Sequence, residues 1–144
     1  MNNLHRVLGY GGLIPFIGLA MFYHYPDELM YQLIGTEQSP IGFWLVSYAA
    51  LIYSFIGGVY WSISLQKNYN NLVPLLLLSI FMMLWAWLWI LKPALFSPWI
   101  MALSFWLLPI IEYRWLKGIM NDDFRKMRLH LSIIAGLSLM SLSL

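Results

Sequence analysis

A chain of 144 residues is long enough for one domain, but 61% of its residues are hydrophobic and only 10% are charged, against roughly 45–50% and about 25% in soluble globular domains. Eight basic and six acidic residues, with a net charge of +2, cannot coat a water-soluble surface, which excludes a soluble monomer, a disordered chain and a nucleic-acid binder with a basic face. The absence of cysteine excludes disulfide frameworks, Cys-ligated metals, iron–sulfur clusters and thiol catalysis. These bounds predict an all-α polytopic membrane protein.

Crossing a hydrocarbon core takes about 17–25 helical residues, and five apolar runs qualify. The first, Val7–Tyr23, opens with Gly9-Tyr10-Gly11-Gly12 and then Pro15, whose missing N–H predicts a kink. Arg6 ahead of it would suit a secretory signal, but no small-x-small cleavage site follows, so this run is expected to stay as a span. His24–Gly42 is the one long connection, and its acids Asp27, Glu28 and Glu37 are expected to be solvated. The second run, Phe43–Leu65, carries Ala50, Ser54, Gly58 and Ser62 at intervals of four, with Ser47 and Gly57 widening the stripe. Small residues in register predict a close helix contact, with a substrate groove as the alternative.

Asn68, Asn70 and Asn71 mark the next turn, and Leu72–Leu91 forms the third run. Lys92-Pro93 and Ser97-Pro98 bracket the following connection. Trp85, Trp87, Trp89 and Trp99 fall where an interfacial aromatic belt is expected, while Trp61 and Trp106 lie deeper and each needs an indole partner if buried. The fourth run, Pro98–Leu116, contains Pro109 and Glu112. The carboxylate sits about one turn from the basic end of its helix, a costly place unless it is paired. Its i+3 and i+4 neighbours are Trp115 and Leu116, so a partner has to come from another segment: Arg128 first, then Arg6 or a histidine. An interhelical clasp and a proton-handling or ligand-binding carboxylate are both open readings of Glu112. The fifth run, Met127–Leu144, reaches the last residue, so no soluble C-terminal tail is expected.

With five spans, one side of the membrane receives Arg6, Lys67, Arg114, Lys117, Arg125, Lys126 and Arg128, and the other receives Lys92. This bias predicts a single transmembrane domain over 1–144, N-terminus inside and C-terminus outside. His5, His24 and His130 show no metal-ligand spacing, and no nucleophile elbow or phosphate loop is present.

Leu8-Gly9-Tyr10-Gly11-Gly12-Leu13-Ile14-Pro15-Phe16 and the segment from Tyr48 to Trp61, with Ser54-Phe55-Ile56-Gly57-Gly58-Val59-Tyr60-Trp61 at its end, resemble the domain of unknown function 3429 family. Its members are small bacterial inner-membrane proteins with mitochondrial relatives in animals. Many of them carry histidine where this chain has Tyr60, which counts against a mechanism needing an imidazole there. An acid late in the fourth helix and an arginine leading into the fifth are also family tendencies, matched loosely by Glu112 and by Arg125 or Arg128. The resemblance implies a helical inner-membrane fold and no settled activity. In size and tryptophan content the chain is also similar to the tryptophan-rich sensory (translocator) proteins, which bind tetrapyrroles and sterols.

The expected function is therefore that of a non-catalytic accessory or assembly component of a bacterial or mitochondrial inner membrane, with lipid and further membrane subunits as partners. No nucleic acid, cofactor, metal or catalytic residue is expected. The alternative is a binder of a lipid, quinone or tetrapyrrole, in an inner-leaflet cavity lined by Gly58, Trp61, Glu112 and Arg128.

Overall fold

The computed structural model describes residues 2–25, 38–66, 72–92 and 97–144, with the backbone alone for 38–40 and 72. The acidic connection, the asparagine turn and Pro93 lie outside the described residues. Those described are helical, without strands: α1 (Asn3–Gly11), α2 (Ile14–His24), α3 (Gln38–Ser64), α4 (Leu72–Leu91), α5 (Pro98–Leu116), α6 (Asp122–Met140) and a 3-10 turn (Ser141–Ser143).

The α1–α2 break is slight. Gly12 and Leu13 keep right-handed dihedrals (φ −63°, ψ −14° and φ −82°, ψ −17°), and the interruption falls just ahead of Pro15, which cannot donate to the carbonyl four residues back. Counting α1 and α2 as one stretch gives five helical segments. Three are long and apolar enough to cross a membrane: Asn3–His24, Ile41–Ser64 and Val73–Leu91. α5 and α6 are equally long at 19 residues each, but α5 carries Glu112 and Arg114, and five of the first seven residues of α6 are charged.

Helix ends depart from the apolar runs where polar caps act. The Asn2 side chain accepts from the Leu4 amide at 3.4 Å, so α1 starts four residues before Val7. Asn121 accepts from the Asp123 amide at 3.1 Å, and Asp122 and Asp123 occupy the first turn of α6, where acids suit the helix dipole. α6 therefore begins five residues before Met127. At Pro98 the preceding Ser97 is extended (φ −63°, ψ 141°), as the proline ring requires, and the expected boundary holds.

The chain divides into two compact units, one of residues 1–45 and 97–144, the other of residues 46–96. In the first, α5 and α6 run antiparallel: Glu112 meets Arg128 and Trp106 meets Ile133. The first span runs parallel to α6, since Arg6, Gly9, Tyr10 and His24 meet Asp123, Met127, His130 and Ser141 in turn. Phe16 packs edge-on against Phe105, with ring centroids 5.8 Å apart.

In the second unit, α3 lies close to α4. Ser79 Oγ donates to the Gly57 carbonyl at 2.7 Å, and a β-carbon on Gly57 would stand 3.0 Å from the Ser79 carbonyl oxygen and 3.2 Å from Met82 Cβ. The buried face of α3 includes Ala50, Tyr53, Gly57 and Tyr60, whereas Gly58 and Ser62 are exposed and nothing lies within 4 Å of a β-carbon on Gly58. Intervals of four drift around a 3.6-residue helix, so the packing line passes from Ala50 to Gly57 instead of Gly58. Trp89 is a core residue and not part of a belt: it is fully buried, 5.1 Å from the Tyr53 ring.

Candidate functional site

Polar chemistry concentrates at one end of the first unit, where α5 hands over to α6. Glu112 lies on the face of α5 that also buries Phe105, Leu108 and Leu116, and none of its side chain is exposed. Arg128 projects from the second turn of α6. Its Nε and Nη2 donate to Glu112 Oε1 at 3.0 and 2.7 Å, and the arginine side chain is itself only 13% exposed. A charge withdrawn this far from water persists only when paired and hydrogen-bonded.

Two further pairs surround it on the solvent side. Arg6 reaches Asp123 at 3.2 Å, both about half exposed, and Arg125 holds Asp122 at 2.7 Å. Tyr113 gathers two cations, with the Lys117 ammonium 4.8 Å and the Arg125 guanidinium 5.5 Å from its ring centre. Lys117 also donates to the Tyr113 hydroxyl at 3.3 Å.

α1 is fastened over this end by contacts that sequence reading did not find. The Tyr10 hydroxyl and His130 Nδ1 share a hydrogen bond of 3.1 Å. A β-carbon on Gly9 would come within 2.6 Å of Met127 Sδ, so the bare backbone makes room for that side chain. The available signal was Tyr10 within the glycine-rich stretch at the end of α1, a polar-tipped aromatic between two residues without side chains. Farther along, Trp106 Nε1 donates to the Ile133 carbonyl at 3.4 Å, while its indole fills the place of a β-carbon on Gly136.

The four residues expected to line a ligand cavity are divided. Glu112 and Arg128 meet in the first unit. Gly58 and Trp61 belong to the second, and Trp61 is 44% exposed. At the opposite end of the first unit an open groove of about 600 Å³ runs between α2 and the end of α6, lined by Ile17, Met21, His24, Leu137 and Ser141 among others. His24 Nε2 donates to the Ser141 carbonyl there at 2.7 Å. Because a carbonyl oxygen only accepts, that nitrogen carries the proton. Among the described residues no group of three or more His, Asp or Glu side chains is arranged to hold a metal ion.

The family model described as "Protein of unknown function (DUF3429)" matches residues 1–144, the whole chain. The chain belongs to this family, the one its glycine-rich segments resemble. No curated protein and no solved structure matches it.

Proposed function

Starting from membership of a family whose description names no activity, we propose that this protein is a non-catalytic accessory or assembly component of an inner-membrane complex. All five apolar segments cross the bilayer, with the N-terminus inside and the C-terminus outside. The observation that carries this reading is the state of the acids. Among the described residues Glu112, Asp122 and Asp123 are each held by an arginine. The Glu112 and Asp123 pairs tie α5 and α1 to α6, and the Asp122 pair lies within the first turns of α6, so their charge is spent on structure instead of facing a substrate. The parallel run of the first span and α6, with α5 antiparallel between them in sequence, supports an odd number of crossings. The charge bias supports the orientation.

The groove between α2 and α6 favours a second reading, a binder of a hydrophobic small molecule. It lies at the end of the first unit away from Glu112, so such a ligand would enter from the outer leaflet. Native mass spectrometry of the protein released from its own membrane in mild detergent separates the two. The proposal expects one or more defined protein subunits in fixed ratio. A monomer carrying one quinone, tetrapyrrole or sterol per chain would replace it with the second reading.

A further inference from the structure

The hairpin joining α5 to α6 carries more positive charge than its acids take up. Arg128, Arg125 and Arg6 are engaged by Glu112, Asp122 and Asp123. Arg114, Lys117 and Lys126 are left over, all exposed and none in an ion pair with another described residue. Each stands at the hairpin end of an exposed apolar line. On α5, Leu103, Leu107 and Ile110 are 42, 53 and 63% exposed, and steps of four, three and four residues bring Arg114 onto the same line, with Lys117 one turn further. On α6 the line starts at Lys126 and continues through Leu129, Ile133 and Leu137, which are 43, 42 and 56% exposed.

A soluble anion would answer the cations and leave both apolar lines bare. A neutral lipid would answer the lines and leave the cations. Only an amphiphile with an anionic head answers both. We propose that the outward faces of α5 and α6 bind anionic phospholipid, with the phosphodiester on Arg114, Lys117 and Lys126 and the acyl chains along the two apolar lines. Tyr113 helps to set the depth: an exposed tyrosine belongs at the headgroup level, and its hydroxyl and ring keep Lys117 beside it. This site rests on the membrane reading above, in which the hairpin faces the inner leaflet, where anionic lipids attract basic juxtamembrane residues.

The test is retention of added lipid by the detergent-purified full chain, counted by native mass spectrometry with phosphatidylglycerol, phosphatidylcholine or inorganic phosphate as probe. Phosphatidylglycerol should be retained at least about tenfold better than phosphatidylcholine, since each Lys or Arg near an anionic headgroup contributes roughly fivefold. The triple variant Arg114→Gln/Lys117→Gln/Lys126→Gln should lose that preference and keep its phosphatidylcholine binding, which also shows that it is folded. Lys92→Gln should keep the preference. If the triple variant does not fold, Lys117→Gln and Arg114→Gln singly should each lower the preference severalfold.

Equal retention of the two lipids by the unaltered chain, or an undiminished preference in the variants, overturns the site. Displacement of phosphatidylglycerol by an equal concentration of inorganic phosphate overturns it in favour of a free-phosphate site. These readouts do not depend on orientation in a membrane, so failure of the five-span reading and failure of the lipid site are told apart.

Discussion

Glu112 and Arg128, sixteen residues apart in sequence, meet through a single carboxylate oxygen that accepts two guanidinium hydrogen bonds, at 3.0 and 2.7 Å. The carboxylate has no exposed surface, so this pair ties α5 to α6 where neither ion could stand alone. Burial makes the pair asymmetric toward mutation.

Arg128→Ala removes the cation and strands a buried carboxylate, a change that costs roughly 3–5 kcal/mol in such pairs. Glu112→Gln keeps an acceptor for the guanidinium and should cost about 1–3 kcal/mol. The double variant Glu112→Gln/Arg128→Gln should lie nearer to Glu112→Gln than to Arg128→Ala. Thermal unfolding in detergent gives the ranking, and equal melting temperatures for the two single variants would contradict the clasp.

Adjacent glycines on α3 should respond oppositely. A methyl group on Gly57 presses on the Ser79 carbonyl and Met82 Cβ, and overpacking of this kind typically costs about 1–3 kcal/mol. Gly58→Ala meets open space and should be neutral or gain up to about 1 kcal/mol from helix propensity. Melting curves of the two variants side by side decide the matter, and a Gly58→Ala loss as large as that of Gly57→Ala would place the packing face elsewhere.

Trp106 and Gly136 form a matched pair across α5 and α6. Gly136→Ala should push the indole from its seat and break its bond to the Ile133 carbonyl. Once Trp106→Leu has vacated the space, the same alanine should cost little, so a double-mutant cycle should show a coupling of about 0.5–3 kcal/mol. Additive losses would mean that the two residues do not share the space.

Orientation can be read directly because the chain has no cysteine of its own. Tyr25→Cys, exposed after the end of α2, should react with a membrane-impermeant maleimide in intact cells. Lys117→Cys, exposed beyond the end of α5, should react only after permeabilisation. Labelling of Lys117→Cys from outside would invert the proposed topology.

Composition and hydropathy alone were enough for an all-helical chain with helices apolar enough to cross a membrane and for the exact bounds of α4 and α5, and the glycine-rich segments were enough for the family. The residue pattern also pointed to the Glu112–Arg128 pair: the acid lacked a cation on its own helix face, and a buried charge leaves few alternatives. Sequence reading placed the starts of α1, α3 and α6 too late; at α1 and α6 the reason is that hydropathy sees the apolar part of a helix and not the capped, polar turn ahead of it.

What the sequence determined by itself was therefore whatever follows from one helix in isolation: apolar length, the boundary at Pro98, the interruption ahead of Pro15 and the need of Glu112 for a partner. Tertiary structure alone decided that Gly57 and not Gly58 carries the close contact, that Trp89 is core and not belt, that Gly136 seats Trp106, and that Tyr10 reaches His130. Each of those turns on the rotation of one helix about its axis relative to a neighbour. A step of one residue turns a side chain by about 100°, and only the packed neighbour selects the face that is used.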